Sequence, residues 1–397
     1  MSKPNVHSLS KMAFTKVVPT RKQKIADAPA TPLPPIKSYK ANELAAALHP
    51  PKQELKVAKV IERCADTKSY ILVPDGDTKA LAYFSAGQYI SISLEIQGSV
   101  ITRPYSLSSS PKEALEGSYM LTVRRAGLAS NYILDTWAEG TKVLASAPLG
   151  DFTYEPLRDA KQIIGLAGGS GITPFRALAK AIVDGDEDVC LTLIYGSRGR
   201  EDALFLDEFE AIAKQTNKFR LVNVFSDTPE EGREHGFITA ELIKKYAPEG
   251  EYSLFICGPQ AMYSFLNKEV PKLGLRRKFV RYELFGEYRH PEKDAKYTGN
   301  VDGAYELTVH ICDEIHTIPC RADETLLVSM ERAGIAAPAH CRSGMCGWCH
   351  SRLISGNVYI PATVDGRRLA DRDYGYIHPC CTFPLGNIDL DVPPFKA

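Results

Sequence analysis

The stretch CRSGMCGWCH, residues 341–350, places three cysteines within ten positions. Cys341, Cys346 and Cys349 have the spacing C-x4-C-x2-C, which is a spacing that holds a [2Fe–2S] cluster. Such a cluster needs a fourth thiolate, and Cys380 and Cys381 follow about thirty residues further along the chain. The sequence therefore predicts a [2Fe–2S] site whose fourth ligand is one of these two cysteines.

Zinc is the main alternative for these cysteines, and reactive or structural thiols are a third. Structural zinc is usually held by two C-x-x-C pairs, whereas this chain has one such pair and an adjacent Cys-Cys. A Rieske centre needs histidine ligands, but His340 and His350 directly adjoin cysteines, where a Cys-x-His arrangement is expected. Gly344 and Gly347 allow a tight loop that aims backbone N–H groups at sulfur, which stabilises a reduced cluster. The pattern favours the cluster.

Length and composition describe a globular protein of more than one domain. The chain has 397 residues, of which 44% are hydrophobic and 24% are charged. The formal net charge is zero, so the overall charge does not indicate binding to nucleic acid. The sequence has no apolar run of about 18 residues and its start lacks the apolar core of a secretory signal, so we expect no membrane insertion and a cytoplasmic location. In that reducing location the ten cysteines are not expected to form a disulfide framework.

The residues that precede the cysteines have the pattern of a small α+β domain. AYELTVHICDEIHTIPC (304–320) predicts a hairpin of two alternating strands. DETLLVSMERAGI (323–335) has the apolar spacing of a helix and a glycine that ends it.

Three motifs in this region resemble those of plant-type ferredoxin domains: CRSGMCGWC, RLISG, and a cysteine four residues before Pro384. The resemblance covers about 303–392 and implies that Cys380 is the fourth ligand and Cys381 a packed neighbour. The departures from the usual pattern, Cys381 and Gly386-Asn387, lie outside the ligand set.

The middle of the chain alternates between strand and helix patterns. QIIGLA (162–167) predicts a short buried strand, GGSG follows it, and ITPFRALAKAIVDG has the apolar period of a helix. A glycine turn between a strand and a helix N-terminus is the arrangement that binds a pyrophosphate. Further strand patterns in VCLTLIYGS, FRLVNVFS and YSLFICGP indicate a parallel sheet. A tight turn with nothing bound is the alternative.

Motifs across residues 52–285 resemble the ferredoxin–NADP reductase superfamily. They are R-P-Y-S at 103–106, G-G-S-G-I-T-P at 168–174 and C-G-P at 257–259, and they occur in the order that this superfamily shows. The resemblance implies a multidomain chain with an antiparallel β-barrel flavin domain, an α/β parallel-sheet nucleotide domain and an α+β, β-grasp-like ferredoxin domain. The expected boundaries are a basic, proline-rich arm at 1–50, the flavin domain at 51–158, the NAD(P) domain at 159–286, a linker at 287–302 and the ferredoxin domain at 303–397.

The resemblance also implies roles for individual residues. Arg103 is expected at the flavin phosphate, Tyr105 along the flavin ring, and Ser106, with a catalytic role, near N5. Cys257, the second expected catalytic residue, is placed beside the nicotinamide C4. The alternative for both Tyr105 and Cys257 is core packing. The remaining expected flavin contacts are Pro104, Arg124, Gly127, Ala129, Ser130 and, less directly, Glu283 and Phe285. The remaining expected dinucleotide contacts are Gly168, Gly169, Gly171, Thr173, Pro174, Gly258 and Pro259.

The sequence leaves the choice of cofactors partly open. GLASNYI and PLGDF resemble the members of the superfamily that bind FAD, while the order of the three domains is shared with reductases that bind FMN. Discrimination between NADH and NADPH is expected at Ser197, Arg198 and Arg200, where a cation paired with a 2′-phosphate would favour NADPH.

Two segments have the composition of flexible chain. The first 25 residues contain six Lys or Arg and no Asp or Glu, and a proline-rich stretch follows. A solvated tail, a docking arm for an acidic partner and an organellar targeting peptide are the alternatives for this arm. Residues 287–303 are polar as well, and we expect a flexible linker that lets the cluster move between the flavin and a partner.

These parts together predict an NAD(P)H:acceptor oxidoreductase. A flavin accepts a hydride from NAD(P)H and passes its electrons singly to the cluster, and from there they go to a separate acceptor protein such as an oxygenase or a hybrid-cluster protein. Arg342 and Arg352, near the cluster, are candidates for contact with an acidic partner, with solvated surface residues as the alternative. A different function is also open, in which the flavin reduces a small molecule and the ferredoxin domain is a sensor or docking domain.

Overall fold

The computed structural model describes residues 19–28 and 39–395, and the chain divides into two compact units, Met1–Ala47 and Leu48–Ala397. Most of the arm predicted for residues 1–50 lies outside the described residues. Within the arm, α1 covers 19–26 and α2 covers Lys40–Leu48, and no side chain of α2 is buried. Residues 19–28 and 39–395 include no helix with the length and apolar content needed to cross a membrane.

The flavin domain is a curled antiparallel sheet of six strands in the order β4-β3-β6-β1-β2-β5. A bridge between Leu107 and Leu121 joins the two edges of the sheet, which curls it toward a barrel. Alternate residues of the strands fill the interior. The elements are β1 (Gln53–Cys64), β2 (Thr67–Pro74), β3 (Tyr89–Ile96), β4 (Ser99–Ser106), α3 (Pro111–Leu115), β5 (Tyr119–Arg124), α4 (Leu128–Thr136) and β6 (Lys142–Ala145).

The nucleotide domain is a parallel sheet in the order β10-β9-β8-β7-β11-β12, covered by helices on both faces. Its strands are nearly continuous apolar runs, as expected for strands that are buried on both faces. The elements are β7 (Gln162–Gly168), α5 (Thr173–Asp184), β8 (Cys190–Ser197), α6 (Leu206–Gln215), β9 (Phe219–Phe225), β10 (Glu234–His235), α7 (Ala240–Tyr246), β11 (Ser253–Cys257), α8 (Gln260–Glu269) and β12 (Val280–Glu283).

The ferredoxin domain is a mixed sheet in the order β14-β13-β19-β15-β17, with one helix packed against it. The predicted hairpin and helix are both present. The elements are β13 (Ala304–Ile311), β14 (Glu314–Arg321), α9 (Leu326–Arg332), β15 (Ser351–Ser355), β16 (Val358–Tyr359), α10 (Leu369–Asp373), β17 (Tyr376–Ile377), β18 (Phe383–Pro384) and β19 (Ile388–Asp391). The predicted fold class of all three domains is confirmed.

The flavin and nucleotide domains share an apolar contact and an ionic one. The ring of Phe152 lies 5.7 Å from that of Phe175 and 5.2 Å from that of Phe255, as measured between ring centroids. Buried Arg176 in α5 forms ion pairs with Glu113 of the flavin domain at 3.1 Å and with Glu208 of the nucleotide domain at 2.7 Å. The two domains are therefore packed together rather than tethered.

A buried charge network joins the ferredoxin domain to the flavin domain. The guanidinium of Arg342 contacts both Glu331 carboxylate oxygens, at 2.5 and 2.8 Å, and its Nε lies 2.7 Å from Glu287. Arg103 of β4 approaches the same two carboxylates, at 3.6 Å from Glu287 and 3.7 Å from Glu331. The hydroxyl of Thr102 donates to the carbonyl of Ala339 at 2.8 Å.

The structure differs from two expectations at this network. Arg342, expected at the surface facing an acidic partner or solvent, is 1% exposed, because its charge is neutralised by the two glutamates. The start of the segment 287–302, expected as a flexible linker, is held in place: Glu287 belongs to the network, Tyr288 contacts Phe383 at a centroid distance of 6.2 Å, and Pro291 is buried. The polar composition of this segment predicted a linker. Its contacts could not be predicted, because the partners Arg342 and Phe383 are distant in sequence.

We predict that Glu331→Gln lowers the free energy of unfolding of the ferredoxin domain by about 3 kcal/mol, because it leaves a buried guanidinium with part of its charge uncompensated. Urea unfolding followed by circular dichroism and tryptophan fluorescence measures the change. Glu314→Gln, a matched change at an exposed carboxylate of the same domain, is expected to stay within about 0.5 kcal/mol of the parent. Equal stability of the two variants would contradict the prediction.

Candidate functional site

The three domains enclose a cavity of about 1060 Å3. Its walls come from β4, β5 and α4 of the flavin domain, from the carboxyl edge of the nucleotide sheet, and from α9 of the ferredoxin domain. Most of the predicted site residues lie in its wall: Arg103, Pro104, Tyr105, Ser106, Arg124, Gly127, Ala129, Ser130, Gly171, Thr173, Cys257, Gly258, Pro259, Glu283 and Phe285. The predicted flavin and dinucleotide contacts that are not in this wall are Gly168, Gly169, Pro174, Ser197, Arg198 and Arg200.

Three strand ends bring Ser106, Cys257 and Glu283 together. Ser106 ends β4, while Cys257 and Glu283 end the neighbouring strands β11 and β12 and are register partners. The Ser106 hydroxyl donates to the Glu283 carboxyl at 3.2 Å, and all three side chains are buried.

Burial determines the protonation states of Glu283 and Cys257. Loss of solvent raises the pKa of Glu283 to about 8, against the smaller opposing effect of the Ser106 hydrogen bond. Burial also raises the pKa of the Cys257 thiol, and the nearby Glu283 adds a smaller effect in the same direction. At neutral pH this end of the cavity therefore holds a carboxylic acid and a thiol, both neutral, which suits a site for the uncharged parts of two redox cofactors.

The glycine turn after β7 is pressed against the end of β11. A Cβ atom on Gly171 would lie 2.3 Å from the carbonyl oxygen of Cys257, and Gly169 has a φ of 51°. A Cβ atom on Gly168 would lie 2.5 Å from the sulfur of Met262. The turn leads directly into the 12-residue helix α5, with Thr173 as its first residue. The geometry fits the predicted pyrophosphate site at a helix N-terminus.

The cations predicted to meet flavin already have carboxylate partners. Arg103 lies beside Glu287 and Glu331, and its pKa is lowered by burial and by the nearby Arg342. Arg124 pairs with Asp66 at 2.9 Å and also with Asp202 of the nucleotide domain. Both arginines face the cavity, so their role toward a phosphate stays a prediction.

The start of α4 holds the other predicted phosphate contacts. The Ser130 hydroxyl accepts hydrogen bonds from the backbone N–H groups of Ala126 and Gly127, at 2.9 and 3.0 Å, and Ala129 is buried. Ser130 thus fixes the turn that precedes the helix.

The four predicted cluster ligands form a group of thiols. The sulfurs of Cys349 and Cys380 are 3.4 Å apart, and hydrogen bonds from the Cys346 and Cys380 thiols lower the pKa of Cys341. Gly344 has a φ of 78°, and a Cβ atom there would lie 2.0 Å from the carbonyl oxygen of Val364. Three backbone N–H groups point at sulfur: Ser343 and Cys346 toward Cys341, at 3.5 and 3.4 Å, and Gly344 toward Cys380, at 3.3 Å.

This donor set fits the cluster. Four neighbouring sulfurs would supply its ligands, and N–H groups directed at sulfur would stabilise the added negative charge of its reduced form. Cys381 is buried, and its thiol donates to the carbonyl of His378 at 3.4 Å, so it has a partner outside the ligand set. None of the ten cysteines forms a disulfide in the structure.

Tyr89 is a residue that sequence reasoning missed. Its ring lies 5.0 Å from that of Phe285, and a Cβ atom on Gly150 would approach it to 2.8 Å. Burial raises its pKa, and negative charge on Cys346, Cys341 and Glu283 adds to the effect. Tyr89 is also the register partner of Ser106 on β4, so it adjoins the Ser106–Glu283 end of the cavity. An aromatic residue at the start of a strand carries no sequence signal that separates this position from ordinary core.

The turn after β8 holds the residues expected to distinguish NADH from NADPH. Ser197 is buried and its hydroxyl donates to the carbonyl of Gly199 at 3.2 Å. Arg198 pairs with Asp202 at 2.9 Å. Arg200 pairs with Glu230 at 3.3 Å and with Asp207 at 3.5 Å. Both arginines of this turn are therefore already neutralised by carboxylates.

Comparisons with known proteins agree with this architecture. Three family models match the chain: an oxidoreductase FAD-binding domain at 54–154, an oxidoreductase NAD-binding domain at 166–268 and a 2Fe-2S iron-sulfur cluster binding domain at 309–385. The third match supports a [2Fe–2S] cluster rather than zinc at the cysteines.

Similar whole chains are reductase parts of oxygenase systems. The 3-ketosteroid-9-alpha-monooxygenase ferredoxin reductase component of Mycobacterium tuberculosis is 30% identical over 350 residues, covering 83% of this chain and 93% of the relative. The glycine betaine monooxygenase reductase subunit of Chromohalobacter salexigens is 26% identical over 357 residues, covering 86% and 95%. The solved structure of phthalate dioxygenase reductase shares the fold, with a TM-score of 0.60 at 23% identity, over 86% of this chain and 98% of that chain.

The site and the fold define an oxidoreductase with FAD, NAD and [2Fe–2S] domains in one chain. The chain belongs to the family of oxygenase reductase components that combine these three domains.

We predict that Glu283 makes stability depend on pH. Its pKa of about 8 in the folded chain lies above its ordinary value of 4.5, so the folded state holds a proton that the unfolded state releases. The contribution of Glu283 to the free energy of unfolding is fully present below about pH 4.5 and is lost as the pH rises toward 8. Relative to Glu283→Gln, the parent should lose about 1.4 kcal/mol of unfolding free energy per pH unit between about pH 5 and 8.

Thermal unfolding midpoints of the flavin-loaded proteins, measured from pH 5 to 9, test this prediction. Glu95→Gln, at an exposed glutamate of β3, serves as the control and should follow the parent. Parallel curves for the parent and Glu283→Gln across this range would show that Glu283 is ionised throughout.

Proposed function

We propose that the chain takes a hydride from NADH and passes the electrons singly, through FAD and a [2Fe–2S] cluster, to a separate oxygenase component. The observation that carries the proposal is the shared wall of the cavity. Ser106, Cys257 and Glu283 line one part of it, and Arg103 and Glu331 line another.

The cluster loop adjoins the second part of this wall. Glu331 pairs with both Arg103 and Arg342, the residue that follows Cys341, so the cluster ligands are fixed next to the cavity that would hold the flavin. FAD supplies the conversion between hydride transfer, which moves two electrons, and the one-electron chemistry of the cluster.

The chain's own residues have distinct tasks in this proposal. Ser106 and Glu283 place a hydroxyl and a neutral carboxyl at the flavin ring, and Cys257 packs beside the nicotinamide. Gly168, Gly169, Gly171 and Thr173 receive the dinucleotide pyrophosphate at the N-terminus of α5. The network around Arg342 holds the cluster loop close to the flavin, so the electron needs no movement of the ferredoxin domain to reach the cluster.

Two observations support an oxygenase component as the acceptor: the functions named for the relatives and the exposed face of the cluster loop. Both relatives described above are named as reductase parts of monooxygenases. Met345 and Trp348, beside the ligands, are 64% and 55% exposed, which leaves the loop accessible to a protein. We place this exchange in the cytoplasm, where reduced thiols favour cluster assembly.

NADH rather than NADPH is proposed as the donor. A 2′-phosphate needs an unpaired cation, whereas Asp202 neutralises Arg198 and the carboxylates of Glu230 and Asp207 neutralise Arg200. These carboxylates would also repel the phosphate.

We predict that Cys349→Ser abolishes reduction of the acceptor protein but leaves reduction of the flavin by NADH intact. Loss of one thiolate removes the cluster while the hydride site, on other domains, is unchanged. Iron content and stopped-flow absorbance measure the two effects. Cys381→Ser is the matched control, because Cys381 adjoins a ligand without being one, and this variant should keep its iron. Full acceptor reduction by an iron-free Cys349→Ser protein would contradict the relay and support direct reduction of small molecules by the flavin.

We predict that Asp202→Asn raises the ratio of kcat/KM for NADPH to that for NADH by about tenfold, because it frees a cation for the 2′-phosphate. Steady-state kinetics with both nucleotides measure the ratio. Asp188→Asn, at an exposed carboxylate on the opposite edge of the sheet, should leave it unchanged. A ratio that does not respond to Asp202→Asn would remove this carboxylate from nucleotide selection.

A further inference from the structure

Arg289 is an exposed residue in the wall of the cavity, and it comes from the segment that follows β12. Within residues 19–28 and 39–395, no carboxylate forms an ion pair with its guanidinium. The other basic residues of the wall are paired: Arg103 with Glu287 and Glu331, Arg124 with Asp66 and Asp202, His290 with Glu292, and Arg332 with Glu324. Arg289 therefore brings an uncompensated positive charge to the cavity.

The Arg289 guanidinium lies against the start of α4. A Cβ atom on Gly127, the residue before this helix, would lie 3.7 Å from Nη2 of Arg289. Leu128, Ala129 and Ser130 begin the nine-residue helix, and all three line the cavity. The N–H groups of a first turn have no acceptor within their helix and carry the positive end of its dipole. A free guanidinium and a helix N-terminus thus meet at this end of the cavity.

The combination suits a phosphate better than the paired arginines do. Arg103 and Arg124 each face two carboxylates, which take up the charge that a phosphate would need. An arginine without a carboxylate partner can offer its forked N–H donors to phosphate oxygens. FAD carries a diphosphate, and the domain that contains α4 matches FAD-binding domains.

We propose that Arg289 binds the diphosphate of FAD across the start of α4, so that the segment after the nucleotide domain closes over the flavin. The inference rests on the proposed function, which places FAD in this cavity. Glu287, two residues before Arg289, pairs with Arg342 of the ferredoxin domain. One short segment therefore contacts the flavin at Arg289 and the cluster loop at Glu287.

This arrangement links flavin binding to the position of the ferredoxin domain. A ligand that restrains Arg289 also restrains Glu287, and a coupling between two binding contacts is reciprocal. Bound FAD is therefore expected to hold the segment in place. In return, the docked ferredoxin domain is expected to strengthen the binding of FAD.

Arg289→Gln in the full chain, with the cluster loaded and the flavin removed and added back, tests the proposal. Quenching of flavin fluorescence measures the Kd. We expect the Kd for FAD to rise about tenfold, which corresponds to the loss of one charge-assisted contact to phosphate. The Kd for riboflavin, which has no phosphate, should stay within about twofold of the parent value.

Two further variants serve as controls. Arg289→Lys keeps the positive charge and should recover part of the affinity for FAD. Arg277→Gln removes an exposed arginine that lies ahead of β12 and outside the cavity wall, and this variant should bind FAD as the parent does.

Amide hydrogen exchange in the segment 287–302 gives a second readout, which does not depend on activity. Saturating FAD should slow exchange in this segment of the parent, whereas saturating riboflavin should not, because riboflavin offers nothing for Arg289 to hold. Exchange that responds equally to FAD and riboflavin, or to neither, would contradict closure of the segment by the phosphate.

The outcomes separate this inference from the proposed function. An unchanged Kd for FAD in Arg289→Gln would overturn the phosphate contact. An equal rise of the Kd for FAD and for riboflavin would also overturn it, because the arginine would then have a structural role only. A parent chain that binds neither FAD nor riboflavin would overturn the proposed function itself.

Discussion

The guanidinium of Arg342 is the group on which the position of the ferredoxin domain against the flavin domain depends. It is wholly buried between Glu331 and Glu287, and a cation in that position is stable only while both carboxylates face it. Glu331 comes from the ferredoxin helix α9, Glu287 from the segment after the nucleotide domain, and Arg103 adds the flavin domain. Since Arg342 follows Cys341, the same contacts fix the cluster loop against the cavity.

The cavity consequently has two chemically different parts. Around Ser106, Cys257 and Glu283 the groups are buried and neutral, because burial raises the pKa of the carboxyl and of the thiol. Around Arg103 and Glu331 the groups are charged and paired. In the proposed relay the hydride arrives at the neutral part and the electrons leave beside the charged network, so each end provides the electrostatic environment that its step requires.

Local motifs made much of this predictable from sequence. The cysteine spacing, the glycine turn and the strand-end motifs are short, and each reflects a local steric or ligand requirement, as at Gly171, where a Cβ atom would meet the carbonyl oxygen of Cys257. Contacts between distant residues were not predictable. Arg342 has the appearance of a surface cation until Glu287 and Glu331 are placed beside it, and residues 287–302 have a linker's composition although Tyr288 and Pro291 pack. Tyr89 was missed for the same reason, because its partner Phe285 is distant in sequence.

An anaerobic titration of the purified protein with NADH, with iron, sulfide and flavin counted on the same sample, tests the central claim most directly. We expect about two irons, two sulfides and one flavin per chain. The flavin and cluster absorbances should both be bleached after about 1.5 equivalents of NADH, because the two centres together take up about three electrons. A flavin that is fully reduced by NADH beside a cluster that stays oxidised would contradict the account.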